Sequence, residues 1–271
     1  MERVASGISV VPVRTPTLPP ATHTNTYAVG HDTLTLVDPA SPYEDEQERL
    51  ASVLRETGLP IERVLLTHHH HDHVSGVHAL RDAFPDVVVA AHDLTIQRLA
   101  GRVTVDERLE DGDVIECGGV TLNALFTPGH APGHLVFHDH DSGAVIAGDM
   151  VAGVGTILID EVDGDLELYL NSLQAMRDLR PTVLLPAHGE PLRQADAVLA
   201  FYVAHRHQRT EQVRAALDEH GAMTAHELVP HVYAELDPRA HPIAAVQIGS
   251  HLRWMLAHGV VTEAGSAYRL R

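Results

Sequence analysis

The stretch Thr67–His73, THHHHDH, places five histidines and an aspartate within seven residues, directly after the apolar run Val64–Leu66. A histidine tract alone is commonly solvated loop, so spacing has to decide whether it does chemistry. While the chain stays extended, alternate side chains share a direction, which sends His68 and His70 to one side. Asp72 and His73 fall where DHVSGVHAL turns into a helix, and the change of backbone aims them at a neighbouring point. One loop can then serve two adjacent metal ions. Three further candidates each follow an apolar run: His130 in LFTPGHAPGH, Asp149 in AVIAGDM and His188 in VLLPAHGEP. Polar groups just beyond buried strands are where an α/β scaffold carries its chemistry. Gly129, Gly148 and Gly189 adjoin them and allow the tight turns that gather ligands. Imidazole and carboxylate donors without thiolate suit zinc, with manganese or iron as alternatives. The single cysteine, Cys117 in VIECGGV, reads as a small buried hydrophobe and excludes both an intrachain disulfide and a cysteine-rich zinc site.

The elements that must position these residues are legible up to about Arg193. ISVVPV, TLTLVD, RVLLT, DVVVAA, VTLNALF, HLVFH, AVIAG and TVLLPA read as strands, and segments 43–57, 75–84 and 164–179 as amphipathic helices. Several of the strands are apolar without alternation, which suits sheets covered on both faces, and the class is α/β. Beyond HGEPL the character changes. A helical pattern runs from Asp196 to His220 and stops at Gly221. TAHE at 224–227 forms a capping box, with Pro230 predicting a kink or early end of the helix it opens. Pro242 and Gly259 bracket a third helix, and VVTEAGSAYRL closes as a hairpin. The expected division is a catalytic domain over 1–195 and a small winged-helix-like domain over 196–271.

Composition narrows the function classes. The net charge is −18, and all 19 basic residues are arginine. That balance disfavours bulk electrostatic binding of nucleic acid or of an anionic membrane. No apolar run reaches the roughly 20 residues of a membrane span, and the start lacks a signal-peptide pattern, so the cytoplasm is the expected compartment.

The ordered motifs THHHHDH, TPGH, AGD and AHG resemble the metallo-β-lactamase superfamily across the whole catalytic portion. The resemblance implies a four-layer αββα sandwich and two metals, Zn2+ by default. It places His68, His70 and His130 on one ion, Asp72, His73 and His188 on the other, and Asp149 between them, with Asp72 and Asp149 as the catalytic carboxylates. His69 and His71 stand at the variable positions of the motif and are expected to be dispensable. His134 stands where many relatives also carry a histidine, but His130 matches the ligand position. Asp38 in LVDPA resembles an early aspartate that orients a ligand, with DPA replacing the usual DTG. THTNTYAVG, VAGVGTILID, DLELYLNSL, HRHQRTEQV and the tail together resemble the β-lactamase-like-2 branch, which includes single-strand-specific endoribonucleases and carrier-protein thioesterases.

Two metals sharing a hydroxide would supply a nucleophile at neutral pH, so hydrolysis is the expected reaction. The acidic, lysine-free chain favours a thioester or ester of a small or carrier-linked acyl group. The alternative is a metal-dependent endoribonuclease acting on single-stranded RNA. A DNA-binding regulator would have only Arg253 as a fixed charge on its recognition segment. The tail is instead expected to cap the active site, from which His205, Arg206 and Arg209 could reach an anionic group of the substrate.

Overall fold

The computed structural model describes residues 1–271. A seven-stranded sheet runs in chain order through β1 (Glu2–Ala5), β2 (Ile8–Arg14), β3 (His23–Val29), β4 (Leu34–Val37), β5 (Ile61–Leu65), β6 (Val88–His92) and β7 (Glu107–Leu109). Its first four strands form an antiparallel meander, and β4 to β7 are parallel. Parallel neighbours need crossovers. These contain α1 (Glu44–Arg55), then the short α2 (His71–Val74) and α3 (Val77–Ala83), then α4 (Asp93–Leu99). The second sheet has five strands: β8 (Val114–Cys117), β9 (Val120–Phe126), β10 (Leu135–Asp139), β11 (Ala144–Gly148) and β12 (Val183–Pro186). Only β11 and β12 are parallel there, joined across α5 (Leu166–Asp178).

Three cores explain why so many strands are apolar on both faces. Ile8, Val10, Leu65, Leu122, Phe137, Ile146 and Leu185 meet between the two sheets. Their sequence neighbours point outward: Val11, Val64 and Leu66 pack under α1, α3 and α4. Val136, Val145 and Leu184 pack with Tyr169, Leu173 and Met176 of α5. Each fully buried aliphatic or aromatic side chain contributes roughly 1.5–3 kcal/mol. A one-residue slip in any central strand would exchange two cores at once. The result is the expected αββα order.

The expected division at residue 195/196 falls at the start of α6 (Ala195–His220), which runs without a break through two cores. Ala195 and Leu199 belong to the α5 layer, while Val213, Ala216 and Leu217 join a fourth core. That core is completed by α7 (Ala225–Val232), a 3-10 turn (Pro238–Ala240), α8 (His241–Ala257) and the hairpin of β13 (Val261–Ala264) and β14 (Ala267–Leu270). Thr224 and Glu227 form the capping box, and α7 continues through Pro230 for only two more residues. No helix is long and apolar enough to cross a membrane.

Candidate metal centre

The ends of β5, β9, β11 and β12 converge on one rim of the sandwich, and every candidate ligand hangs just beyond one of them. His68, His69 and His70 continue β5. His70 is still extended, with φ −64° and ψ 148°, before α2 begins at His71. Alternation therefore carries His68 and His70 to the same point: His68 Nε2 lies 2.9 Å from His70 Nδ1. His130 Nε2 completes that trio at 3.1 Å from the same Nδ1. The turn into α2 sends Asp72 and His73 towards His188, and these three form a second compact group. His188 Nε2 is 3.6 Å from Asp72 Oδ2.

Asp149 stands between the two groups. Its Oδ2 is 3.5 Å from His130 Nε2, while its Oδ1 is 3.5 Å from His73 Nε2 and 3.4 Å from His188 Nε2. Gly148 before it has φ +48°, and a Cβ there would lie 2.5 Å from His134 Nε2, so the tight approach requires glycine. Gly129 is constrained in the same way, with φ +126° and the Tyr169 backbone 2.1 Å from where a Cβ would sit.

The outer nitrogens of these rings are held by fixed oxygens. His73 Nδ1 donates to Asp38 Oδ2 at 2.8 Å, His130 Nδ1 to the Leu158 carbonyl at 2.9 Å, and His188 Nδ1 to the His23 carbonyl at 2.9 Å. Such partners fix the tautomer and aim the opposite nitrogen at a metal. Asp38 adopts φ +53° and also accepts from the Thr67 N–H at 2.8 Å and the Thr67 hydroxyl at 2.6 Å. The DPA turn closes against the junction of α2 and α3, the Pro39 carbonyl accepting from the Gly76 N–H at 2.8 Å.

Two atoms at the centre, His73 Nε2 and Asp149 Oδ1, are buried and make no hydrogen bond. A buried polar atom without a partner is costly, and a cation at this point would satisfy both. The donor set therefore fits a divalent pair. Protonation separates the rings into two pairs. Burial, reinforced by neighbouring imidazoles, holds His68 well below the ordinary histidine range and His130 at about 4, so both offer lone pairs at neutral pH. Burial also works against charge on His73 and His188, but the Asp149 carboxylate outweighs it and raises both. Burial would raise Asp149, yet the His188 and His73 cations pull it well below the carboxylate range.

His134 is fully buried with both ring nitrogens engaged: Nδ1 lies 2.9 Å from the Thr127 hydroxyl, and Nε2 accepts from the Asp149 N–H at 3.1 Å. It positions Asp149 and has no nitrogen left for a metal. His71 is exposed. His69 is buried, its Nε2 3.1 Å from Asp163 Oδ2, and the same oxygen lies 3.4 Å from His70 Nε2. Arg98 pairs with the other Asp163 oxygen at 3.0 Å. Sequence reasoning missed Asp163 and the Leu158 carbonyl, because nothing in the local pattern of residues 152–164 marks them as neighbours of a site far away in the chain, and it gave Thr67 no role because its partner Asp38 is distant in sequence.

The side chains expected to reach an anionic group of the substrate are largely engaged within the protein. Arg206 is 2% exposed, donates to the Ile157 carbonyl at 2.6 Å and sits over the Tyr169 ring. It is not solvated surface, because this face of α6 packs on the catalytic layers. Arg209 donates to the Val232 carbonyl at 2.7 Å and lies over Tyr233, and His205 stacks on Phe201. Arg253 of α8 donates to the Asp160 carbonyl at 2.6 Å and faces Glu161 at 3.4 Å.

Comparison with known proteins bears on the family and the fold. Residues 19–188 match the family model described as the metallo-beta-lactamase superfamily, and residues 224–269 match the beta-lactamase associated winged helix domain. The chain is 33% identical to the lactamase-like protein aptB of Emericella nidulans over 92% of its length and 81% of the relative's. It is 34% identical to the atrochrysone carboxyl ACP thioesterase of Aspergillus chevalieri, over 78% of this chain and 68% of that one. A beta-lactamase domain protein from Burkholderia ambifaria superposes with a TM-score of 0.86 at 25% identity, covering 100% of this chain and 93% of the other.

Proposed function

The chain belongs to the metallo-β-lactamase superfamily and is a metal-dependent hydrolase, and from that premise we propose a finer reading: a two-metal acyl hydrolase that cleaves thioesters or esters of small or carrier-linked acyl groups. The observation that carries two metals is Asp149, whose two oxygens face separate ligand groups while its Oδ1 and His73 Nε2 lie buried without partners. His68 Nε2, His70 Nδ1 and His130 Nε2 would hold one ion. Asp72, His73 Nε2 and His188 Nε2 would hold the other, with Asp149 shared. Zinc suits these donors, with manganese or iron as alternatives. A bound pair would lower the pKa of water from 15.7 towards about 7 and polarise the scissile carbonyl.

The protein's own residues supply orientation. Asp38, Leu158 and His23 hold three imidazoles by their outer nitrogens, and His134 holds the backbone of Asp149. A cleft of about 200 Å3 takes in five of the candidate ligands and is otherwise walled by Leu18, Ala21, Val154, Ile157 and Leu158, with Thr17, Thr156 and the carboxylate of Asp160 as its further polar side chains. An acyl group fits this lining better than a polyanion does. Single-stranded RNA needs cations that neutralise phosphates. Arg206, Arg209 and Arg253 are all engaged with main-chain carbonyls, and the net charge is −18. The thioesterase named among the relatives supports the same choice.

The test is a substrate panel with zinc-reconstituted protein: acyl thioesters, a small ester, a lactone, a phosphodiester and single-stranded RNA. Turnover of thioester or ester, absent in Asp149→Asn, is the expected result. Metal-dependent RNA cleavage at physiological salt without turnover of any ester or thioester would overturn it.

A further inference from the structure

A second cavity, of about 420 Å3, opens next to the metal-facing cleft and shares Leu18, Thr156 and Leu158 with it. Its far wall belongs to the C-terminal domain: Tyr233 and Leu236 beyond α7, Ala240 of the 3-10 turn, and Ile243 and Ala244 of α8. No carboxylate lines it, although the chain carries 37 acidic residues. Arg206 is its only fixed charge, and that guanidinium is bound into the wall by the Ile157 carbonyl and the Tyr169 ring. His205 is held below the ordinary histidine range by burial and by Arg206, and is neutral at pH 7. Gln247 is also engaged at both ends, its Oε1 accepting from the Ile159 N–H and its Nε2 donating to the Ser250 hydroxyl.

We propose that this chamber receives the apolar acyl tail of a substrate whose scissile carbonyl lies in the adjoining cleft. The inference rests on the acyl-hydrolase reading and deepens it to medium-length or bulky apolar acyl groups. The alternative tenant, the thiol-side arm of a carrier-linked thioester, carries amides. Those amides would lose water here, where Arg206 Nη2 and Gln247 already make hydrogen bonds within the wall and the one buried side-chain donor left without a partner, Arg206 Nε, can serve at most a single carbonyl. An apolar tail loses nothing polar on entry, and the chamber's size is in the usual range for small-molecule pockets. The C-terminal domain is thereby a specificity element, since it supplies one wall of the chamber and none of the candidate ligands.

The experiment uses N-acetylcysteamine thioesters of acetyl, butanoyl, hexanoyl and octanoyl groups with zinc-reconstituted protein. The ratio of octanoyl to acetyl kcat/KM within each protein is the readout, because it is independent of the active fraction. In the wild type kcat/KM should rise about fourfold per buried methylene. Ile243→Trp and Ala240→Trp, which fill the chamber from two different elements, should collapse the ratio towards one. Titration calorimetry with octanoate reads the chamber without turnover: heat of binding in the wild type should be lost in both variants. A flat wild-type series with good acetyl turnover would overturn the chamber and leave the hydrolase reading intact. A ratio in the variants equal to that of the wild type would overturn it too. Octanoate binding that the variants abolish, in a protein that hydrolyses no thioester or ester, would overturn the hydrolase reading while the chamber stands.

Discussion

His251 of α8 is completely buried, 2.8 Å from the Thr210 hydroxyl through Nδ1 and without any partner at Nε2. Burial, then the nearby guanidinium charges of Arg206 and Arg209, lower its pKa to about 3. An unfolded histidine titrates near 6.5. Between these values the unfolded chain binds the proton and the folded chain does not, so acid favours unfolding. The stability that depends on neutral His251 is complete above about pH 6.5 and is lost progressively as pH falls towards 3, at up to about 1.4 kcal/mol per pH unit. At pH 5 the loss relative to neutral pH is about 2 kcal/mol. His251→Leu removes the titrating group, while the Thr210 hydroxyl keeps its bond to the Arg206 carbonyl. The sole tryptophan, Trp254, packs against the same core and reports its unfolding by fluorescence. Urea unfolding of both proteins from pH 7.5 to 5 should show the wild type losing about 2 kcal/mol more than the variant, since the other histidines are common to both. Parallel losses would refute the assignment.

Three other outcomes follow from the site. His68→Ala and Asp149→Asn should lose bound metal and hydrolysis together, His71→Ala should lose neither, and His69→Ala should fall between because it shares Asp163 with His70; elemental analysis and turnover measured on the same samples distinguish them. Asp38→Asn and Asp163→Asn should each weaken metal affinity about 10- to 100-fold in chelator competition, with the folded structure retained. Hydrolysis of a small neutral ester should change little between low and high salt, whereas cleavage of single-stranded RNA whose kcat/KM falls steeply on a log–log plot against salt would indicate phosphate contacts and contradict the acyl reading.

How far the sequence was legible depended on how local the cause was. Strands with both faces apolar, the capping box of Thr224 and Glu227, and the His68/His70 alternation are short-range patterns, and the structure carries them as expected. β3 escaped the strand reading because THTNTYAV looks like polar loop. Its Thr24, Asn25 and Thr26 are nonetheless buried, and Asn25 Nδ2 donates to the Pro186 and Gly189 carbonyls at the end of the other sheet. α4 was missed because it starts immediately after β6, with the His92 ring accepting from the Leu94 N–H in place of an ordinary cap. The burial of Arg206 was not legible because α6 has no single apolar face: it changes partner along its length, from the α5 layer to the C-terminal core.

The same change of partner explains what the winged helix does in this chain. In a nucleic-acid reader the helix equivalent to α8 presents cations outward. Here its one arginine turns inward to the Asp160 carbonyl, Gln247 accepts from the Ile159 N–H at 3.2 Å, and Arg206 of α6 holds the Ile157 carbonyl. These three contacts bracket Leu158, whose carbonyl receives the His130 ring, and they lead directly to Asp160. The Asp160 side chain in turn accepts from the N–H groups of Val162, Asp163 and Gly164, setting Asp163 against His69 and His70. A loop without secondary structure would otherwise pay for its order in conformational entropy, of order 1–2 kcal/mol per residue. Contacts from two helices of the appended domain offset that cost where the loop touches the imidazoles of one candidate metal position. The contacts of Arg206 and Arg253 thus hold the loop that carries the Leu158 carbonyl and Asp163, which is a structural use of these two cations.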